Sequence, residues 1–443
     1  MPYEHQSQGW LLLLLLTAAG VLPAAAQVEG ETESAQLPAL IKRAVARNPG
    51  LKAARLRWQA ALERYPQATA LPDPTVQYVY YDEHVETRVG PQESKVGVAQ
   101  AFPFPGTLKA KGEVTLADIE IAQLTHERVL RDLIVEMKLS CFELAYLQRA
   151  IEITRENHKL MRHAVKLAEA QYAKEAATLN DVLKARAQAA QLEYDLVLLR
   201  ELQAVETANV NAMLDRDVET AIGRVQTGEL ELVETDFGAL ERRALAQRQE
   251  LQIAAGRVRR AGERVRLARR QNLPRFKLSA TRIETGEALN PGLADSGKDP
   301  VMYGVSMSLP LNFRRNRAAV REARLRRAAS EQARRAMANE TRALVRKLYF
   351  RLENARRLIR LYEKSLIPQA RQAMAQAEAW EVDARKSLAG FLETQSIWLN
   401  FNLARLRALT DYRQGVARLE RVVGGALGGD AAAAGEEVDD ATE

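Results

Sequence analysis

From Glu113 to Ile222 the chain contains neither glycine nor proline, and the same holds from Asn312 to Ile367. Globular helices usually run 8–20 residues, so stretches this long predict extended coiled-coil arms. Leu130, Leu133, Met137, Leu144, Leu147 and Ile151 recur at three- and four-residue steps, interrupted at Ser140, with Arg, Glu, Lys and Gln between them. That is a narrow apolar seam on a solvated helix. A single straight helix over the first stretch would reach about 165 Å at about 1.5 Å per residue. A hairpin is expected instead, turning near Ala176-Ala177-Thr178-Leu179-Asn180, where the seam breaks and the Thr178 hydroxyl can cap the returning helix.

Four short segments of another kind lie between the helical tracts. Val76–Tyr81 follows Leu71-Pro72-Asp73-Pro74, and Val96–Phe102 ends in Pro103-Phe104-Pro105-Gly106. Phe276–Thr281 follows Leu273-Pro274, and Tyr303–Leu309 ends in Pro310. In the last two, Phe276, Leu278, Ala280 and Tyr303, Val305, Met307, Leu309 alternate with Lys277, Ser279, Thr281 and Gly304, Ser306, Ser308, the period of a strand. The joining segments, Asp82 to Ser94 and Glu284 to Pro300, carry turn residues, so each pair reads as a hairpin with a long loop.

These pieces recur in order. Ala44, Ala46, Leu51 and Ala54 return as Ala244, Ala246, Leu251 and Ala254; Leu71-Pro72 as Leu273-Pro274; Gly97-Val98 and Phe102-Pro103 as Gly304-Val305 and Leu309-Pro310. Ala176, Leu179 and Leu183 return as Ala384, Leu388 and Leu392. The mature chain is therefore two copies of helix, β-hairpin, long helix, turn, long helix. We divide it into a signal segment (1–26), a linker (27–36), a first repeat (37–219), a connection (220–235), a second repeat (236–425) and a disordered acidic tail (426–443).

Trp10 to Val21 is an apolar run of a dozen or so residues, followed by Pro23 and Ala24-Ala25-Ala26. It is too short to span a bilayer and fits a secretory signal cut between Ala26 and Gln27, although Met1–Gly9 lacks the usual Lys or Arg. The single cysteine, Cys141, excludes a disulfide framework and reads as a small packed residue. With no cysteine at the start of the mature chain, no lipid anchor is expected.

Four strands in an exported chain pose a closure problem. Each strand approaches the 9–11 residues that cross a bilayer when tilted, and lipid tolerates no open strand edge. Small barrels need about eight strands, so several chains must contribute. Helices with a narrow seam and no globular core must likewise pack against copies of themselves. The expected fold is mainly α with a small membrane β part. Its two repeats assemble as a symmetric oligomer with a strand barrel at one end and an α-barrel below it; if three chains trimerise, four strands from each give a 12-stranded β-barrel. The alternative is a structural or adhesive coiled-coil envelope protein without transport activity.

Asn48-Pro49 with Leu51 and Ala53-Ala54, Leu71-Pro72-Asp73-Pro74, Gln100–Gly106 and Leu419–Gly424 resemble the TolC-type outer-membrane efflux proteins over roughly residues 37 to 425. The resemblance implies a passive homotrimeric duct in the outer membrane of a Gram-negative bacterium, with a long periplasmic extension. Its partners would be outer membrane lipid, a periplasmic adaptor (membrane fusion) protein and an inner-membrane pump, its cargo small molecules or metal ions. The Phe-Pro-Phe-Pro-Gly form leans towards the cation and heavy-metal branch. In that family the hairpin turns form the periplasmic entrance. Glu393 matches one acid of its pore ring, Gly390 stands where another acid would be, and Lys386 matches a basic gate position. Glu175 and Asp383 replace the family glycine before each turn.

Glu175, Asp181, Glu381, Asp383 and Glu393 make the tips acidic, and threefold repetition near an axis would favour cations. The competing reading is solvated helix ends, where acids suit N-terminal turns. Lys plus Arg number 64 against 57 Asp plus Glu, an excess of seven. The run Arg314, Arg315, Arg317, Arg321, Arg324, Arg326, Arg327, Arg334, Arg335 does not indicate nucleic acid: it is interspersed with Glu322 and Glu331 and lacks aromatic platforms. It reads as the solvated outer face of a helix leaving the barrel. His158 and His163 are poorly spaced for a shared ligand, and no phosphate loop, nucleophile elbow or dinucleotide fingerprint occurs, so neither enzyme nor cofactor is expected.

Overall fold

The structure, a computed structural model, describes residues 35–228, 230, 232–234, 236–290, 292–377 and 388–427. The signal segment, most of the linker and residues 428–443 of the tail lie outside these. Each repeat opens with two short helices broken at one residue: α1 (Leu37–Arg47) and α2 (Pro49–Leu62), then α6 (Phe237–Gln247) and α7 (Gln249–Arg270) after the connection. At the first break Asn48 leaves helical geometry and its side chain accepts a bond from the Leu51 amide, with Pro49 supplying a residue that needs no amide partner. A short α3 (Arg64–Thr69) leads to strands β2 (Thr75–Val85) and β3 (Gln92–Phe102). The counterparts are β5 (Arg275–Thr285) and β6 (Val301–Ser308).

The long arms follow. The first hairpin is α4 (Thr107–Tyr172) and α5 (Leu179–Met213). The second is α8 (Phe313–Leu361), a π-helical turn (Tyr362–Leu366), α9 (Ile367–Ala377) and α10 (Leu388–Val423). The π turn sits just ahead of Pro368, which has no N–H to offer the preceding turn, and the widened turn absorbs the mismatch. Arg405 holds it to α10 through Glu363 at 2.7 Å. The expected seam is realised: Leu133, Met137, Leu144, Leu147 and Ile151 are buried and Leu130 is half-buried. No described helix is long and apolar enough to cross a membrane.

All four strands join one antiparallel sheet in the order β2-β3-β5-β6, with β3 and β5 bringing the two repeats together. The strands extend to Val85 and back to Gln92, which pair with each other beyond a bulge that follows Tyr80, so the first loop is only residues 86–91, shorter than the sequence suggested. One face carries Val76, Val98, Ala280 and Tyr303 in one row and Leu278 and Val305 in the next. The other face carries Ala99, Ser279 and Gly304, then Gly97 and Thr281, then Ala101, Lys277 and Ser306. Side chains opposite Gly97 and Gly304 leave no room for more: an added Cβ would stand 2.8 Å from Thr281 Oγ1 and 2.7 Å from Ser279 Oγ.

Two buried clusters at the waist mirror one another. Leu40, Ala44, Met137, Leu144, Val210 and Leu214 form one; Leu240, Ala244, Leu352, Tyr412, Leu419 and Val423 form the other. The connection between the repeats also folds back. Ala35–Gln36 (β1) and Val225–Gln226 (β4) pair in parallel, and the Gln148 side chain clamps β4 by accepting from the Val225 amide and donating to the Gly223 carbonyl, both at 3.0 Å.

Candidate functional site

The α4–α5 hairpin end is built from local signals. Thr178 is the N-cap of α5, and its hydroxyl accepts from the Asp181 amide at 3.2 Å. The Asp181 carboxylate accepts from the Thr178 amide at 3.1 Å and from the Thr178 hydroxyl at 2.7 Å, completing a capping box. The Thr178 hydroxyl bond offsets the small burial penalty and, with the amide and nearby Lys184, holds the Asp181 carboxyl below the usual carboxylate range. Asp181 is thus charged and already engaged in capping.

Glu175 closes α4. Its backbone is left-handed, with φ of +61°, and the Ala176 amide reaches back to the Gln171 carbonyl at 2.9 Å. This is a helix-ending motif that normally recruits glycine. The position that differs from the family pattern therefore keeps the conformation glycine would supply.

Behind the turn, Met161, Ala164, Ala168, Val182, Ala185, Met374, Leu388, Phe391 and Leu392 form a shared core of the two hairpins. Deeper in, Gln395 donates to Asn157 within buried surroundings. Gln188 of α5 donates to the Leu392 carbonyl of α10 at 3.4 Å, which sets the relative height of the arms. Glu393 is exposed beside that contact, so it stands roughly 10 Å along α5 from Asp181, counting about 1.5 Å per residue. Among the described residues Glu393 makes no ion pair. The structure thus separates the acids: Glu175 and Asp181 at the tip, Glu393 nearer the sheet. Lys386, Asp383 and Glu381 lie outside the described residues.

The repeat exposes one residue that the reading of single acids passed over. Leu388 and Leu392 stand in the second repeat where Leu179 and Leu183 stand in the first, and on that register Lys184 is the counterpart of Glu393, just as Asp181 is the counterpart of Gly390. The same offset that revealed the repeat identifies it. The two hairpins therefore carry opposite charges at counterpart positions, with Lys184 about 6 Å nearer the tip than Glu393, counting about 1.5 Å per residue along α5 from Gln188.

Charged side chains also fasten the waist. Arg421 of α10 donates to Asp132 of α4 and Glu250 of α7, and Lys138 pairs with Glu420 at 2.9 Å. Burial alone would raise the Glu250 carboxyl, but Arg421, its own backbone amide and Arg248 bring it down to about 2. Cys141 is fully buried with its sulfhydryl 3.6 Å from Met137 Sδ, and burial, with Glu206, raises the thiol to about 12. It is packing material rather than a nucleophile. No group of three His, Cys, Asp or Glu side chains suited to a metal occurs among the described residues.

The outer membrane efflux protein family matches residues 40–215 and 240–425, once over each repeat. The chain belongs to that family. It is an outer-membrane efflux channel component, not an enzyme, with its long helical part in the periplasm of a Gram-negative cell. No curated protein matches it. Among solved structures it is similar to VceC from Vibrio cholerae, at 20% identity over 88% of this chain and 97% of that one, with a TM-score of 0.72. It also resembles CusC, at 17% identity, 88% and 92% coverage and a TM-score of 0.75. The MtrE channel of Neisseria gonorrhoeae follows at 17%, 88% and 89%, with a TM-score of 0.71. Family membership removes the adhesive coiled coil as a reading.

Proposed function

We propose that three copies of this efflux protein close into a passive duct that carries small molecules or metal ions outward. The observation that carries this reading is the pair of open edges on each chain. Strands β2 and β6 end the sheet with unpaired backbone, and a bilayer offers that backbone no partner. The helices are open at corresponding places: α2 and α8 flank α4 and α7, while α5 and the α8–α9 arm flank α4 and α10. Joining β6 and α8 of one copy to β2 and α2 of the next closes both layers by one rotation, a heterologous ring rather than a two-fold dimer.

On this reading the first 26 residues direct export. The channel holds no energy source, so a periplasmic adaptor and an inner-membrane pump supply drive and selection. The entrance is the far end of the two hairpins, where Glu175, Asp181, Asp383 and Glu393 bias the opening towards cations and Lys386 contributes to closing it. Native mass of the detergent-extracted protein followed by planar-bilayer conductance tests the proposal. A trimer with discrete channel steps is expected; a monomer or dimer, or a trimer without conductance, would remove the duct.

A further inference from the structure

Where the helices leave the sheet, the chain carries a group of basic side chains that form no ion pair among the described residues. Helix α8 opens Phe313-Arg314-Arg315-Asn316-Arg317, and none of these three arginines is paired with a carboxylate among the described residues. Asn272 donates to the Asn316 carbonyl at 3.2 Å, which sets the end of α7, with Arg269, level with the start of α8. Arg270 donates to the Pro105 carbonyl at 3.4 Å, which brings the start of α4, with Lys109 and Lys111, to the same height. The acids nearest this level are Asp73, Glu113 and Glu63. Successive helix residues are about 100° apart, so Arg314, Arg315 and Arg317 fall within about 160° of one another on one side of the helix, and all three are exposed.

A neighbouring copy would bring few acids to this level. Tyr65 and Thr69 lie beside Gly112, so the charged residues of the edge segment nearest this level are Glu63, Arg64 and Asp73, fewer than the basic residues they would face. Between the last strand and the arginines, Leu309, Leu311 and Phe313 are 55%, 68% and 63% exposed. Apolar side chains followed at once by guanidinium groups are the arrangement of a segment seated at a bilayer surface.

We propose that Arg314, Arg315 and Arg317, with Arg269, Lys109 and Lys111, form a collar that binds the phosphate headgroups of anionic phospholipids in the periplasm-facing leaflet of the outer membrane. This rests on the sheet being the membrane end of the duct. Each basic residue near an anionic surface contributes about fivefold, so three contribute on the order of 100-fold.

The full-length protein is reconstituted in phosphatidylcholine vesicles with or without phosphatidylglycerol, released into mild detergent, and weighed with its retained lipids by native mass spectrometry. Phosphatidylglycerol should be retained in preference to phosphatidylcholine, and the preference should collapse at high salt. Arg314→Gln/Arg315→Gln/Arg317→Gln should lose on the order of 100-fold of it, while the triple Arg→Lys variant keeps most of it. Equal retention of both lipids by the unmodified protein, or an unchanged preference in the glutamine variant, overturns the collar. So does inorganic phosphate displacing the lipid at comparable concentration, which would make this a site for soluble anions. Should the glutamine variant fail to fold, the preference of the unmodified protein and its salt response still decide. Conductance in phosphatidylcholine alone is read in parallel. Its absence counts against the duct, whereas conductance without lipid preference counts against the collar only.

Discussion

Glu175 occupies the left-handed region at φ of +61°, where a side chain crowds its own backbone at a cost of about 1–2 kcal/mol. Asp215 does the same at the end of α5, with φ of +54°, while the matching end of α10 is Gly424 at +90°. Glu175→Gly should therefore raise stability by about 1 kcal/mol, less the chain entropy that glycine adds to the unfolded state. Glu175→Ala, which keeps a Cβ, should bring no such gain in a thermal melt. At counterpart positions of the two hairpins, Lys184 and Glu393 bear opposite charges. Three copies of each near one axis would set the local potential. Glu393→Ala should lower the cation preference of reconstituted channels and their block by multivalent cations; Lys184→Ala should raise both. If reversal potentials in a salt gradient are unmoved in both variants, these residues do not line the conduction path.

Elements are held by two kinds of contact, and only one kind was legible beforehand. The turn at 176–180 and the Thr178 cap are written in neighbouring residues, and both are present; Thr178→Ala should cost about 1 kcal/mol in chemical denaturation, as typical caps do. The alternation that marked β5 and β6 was equally local. By contrast, the β1–β4 pairing and the union of β3 with β5 join residues more than a hundred positions apart, and the Gln148 clamp on β4 spans 77; none leaves a periodic trace. Arg421, Asp132 and Glu250 are of this second kind, each an ordinary surface charge in sequence. Their network makes stability depend on acid. The Glu250 carboxyl titrates at about 2 in the fold against an ordinary value of 4.5. A depressed carboxylate stabilises fully above its ordinary pKa and loses that contribution as pH falls through the folded one. Stability should thus decline from about pH 4.5 towards about 2, and Glu250→Gln should flatten that limb while lowering stability at neutral pH. An identical acid limb in the variant would assign the acid response to other carboxylates.

At the scale of the whole molecule, the fold is incomplete as one chain, and the sheet states what surroundings it needs. Tyr303 and Val305 are 85% and 77% exposed on a face that also carries Val76, Tyr78 and Val98. Three copies would turn that face to lipid and enclose the opposite one, with its small residues and Lys277, around water. Neighbours on one strand then face different solvents. Val305 lies in the row of Leu278 and Gln100, whereas Ser306 lies in the row of Lys277 and Ala101. A lysine facing lipid near the bilayer midplane costs about 2–4 kcal/mol per chain, and symmetry imposes that cost three times in one assembly. Val305→Lys should therefore sharply reduce the heat-stable, membrane-extracted trimer. Ser306→Lys adds the same side chain one residue later, and it should assemble normally while shifting the channel towards anions. The pair controls for charge, size and β-propensity at once, because only the face differs. Equal assembly of both variants would mean that the apolar face does not meet lipid; a reversed outcome would mean that the sheet curls the other way, with Val305 enclosed.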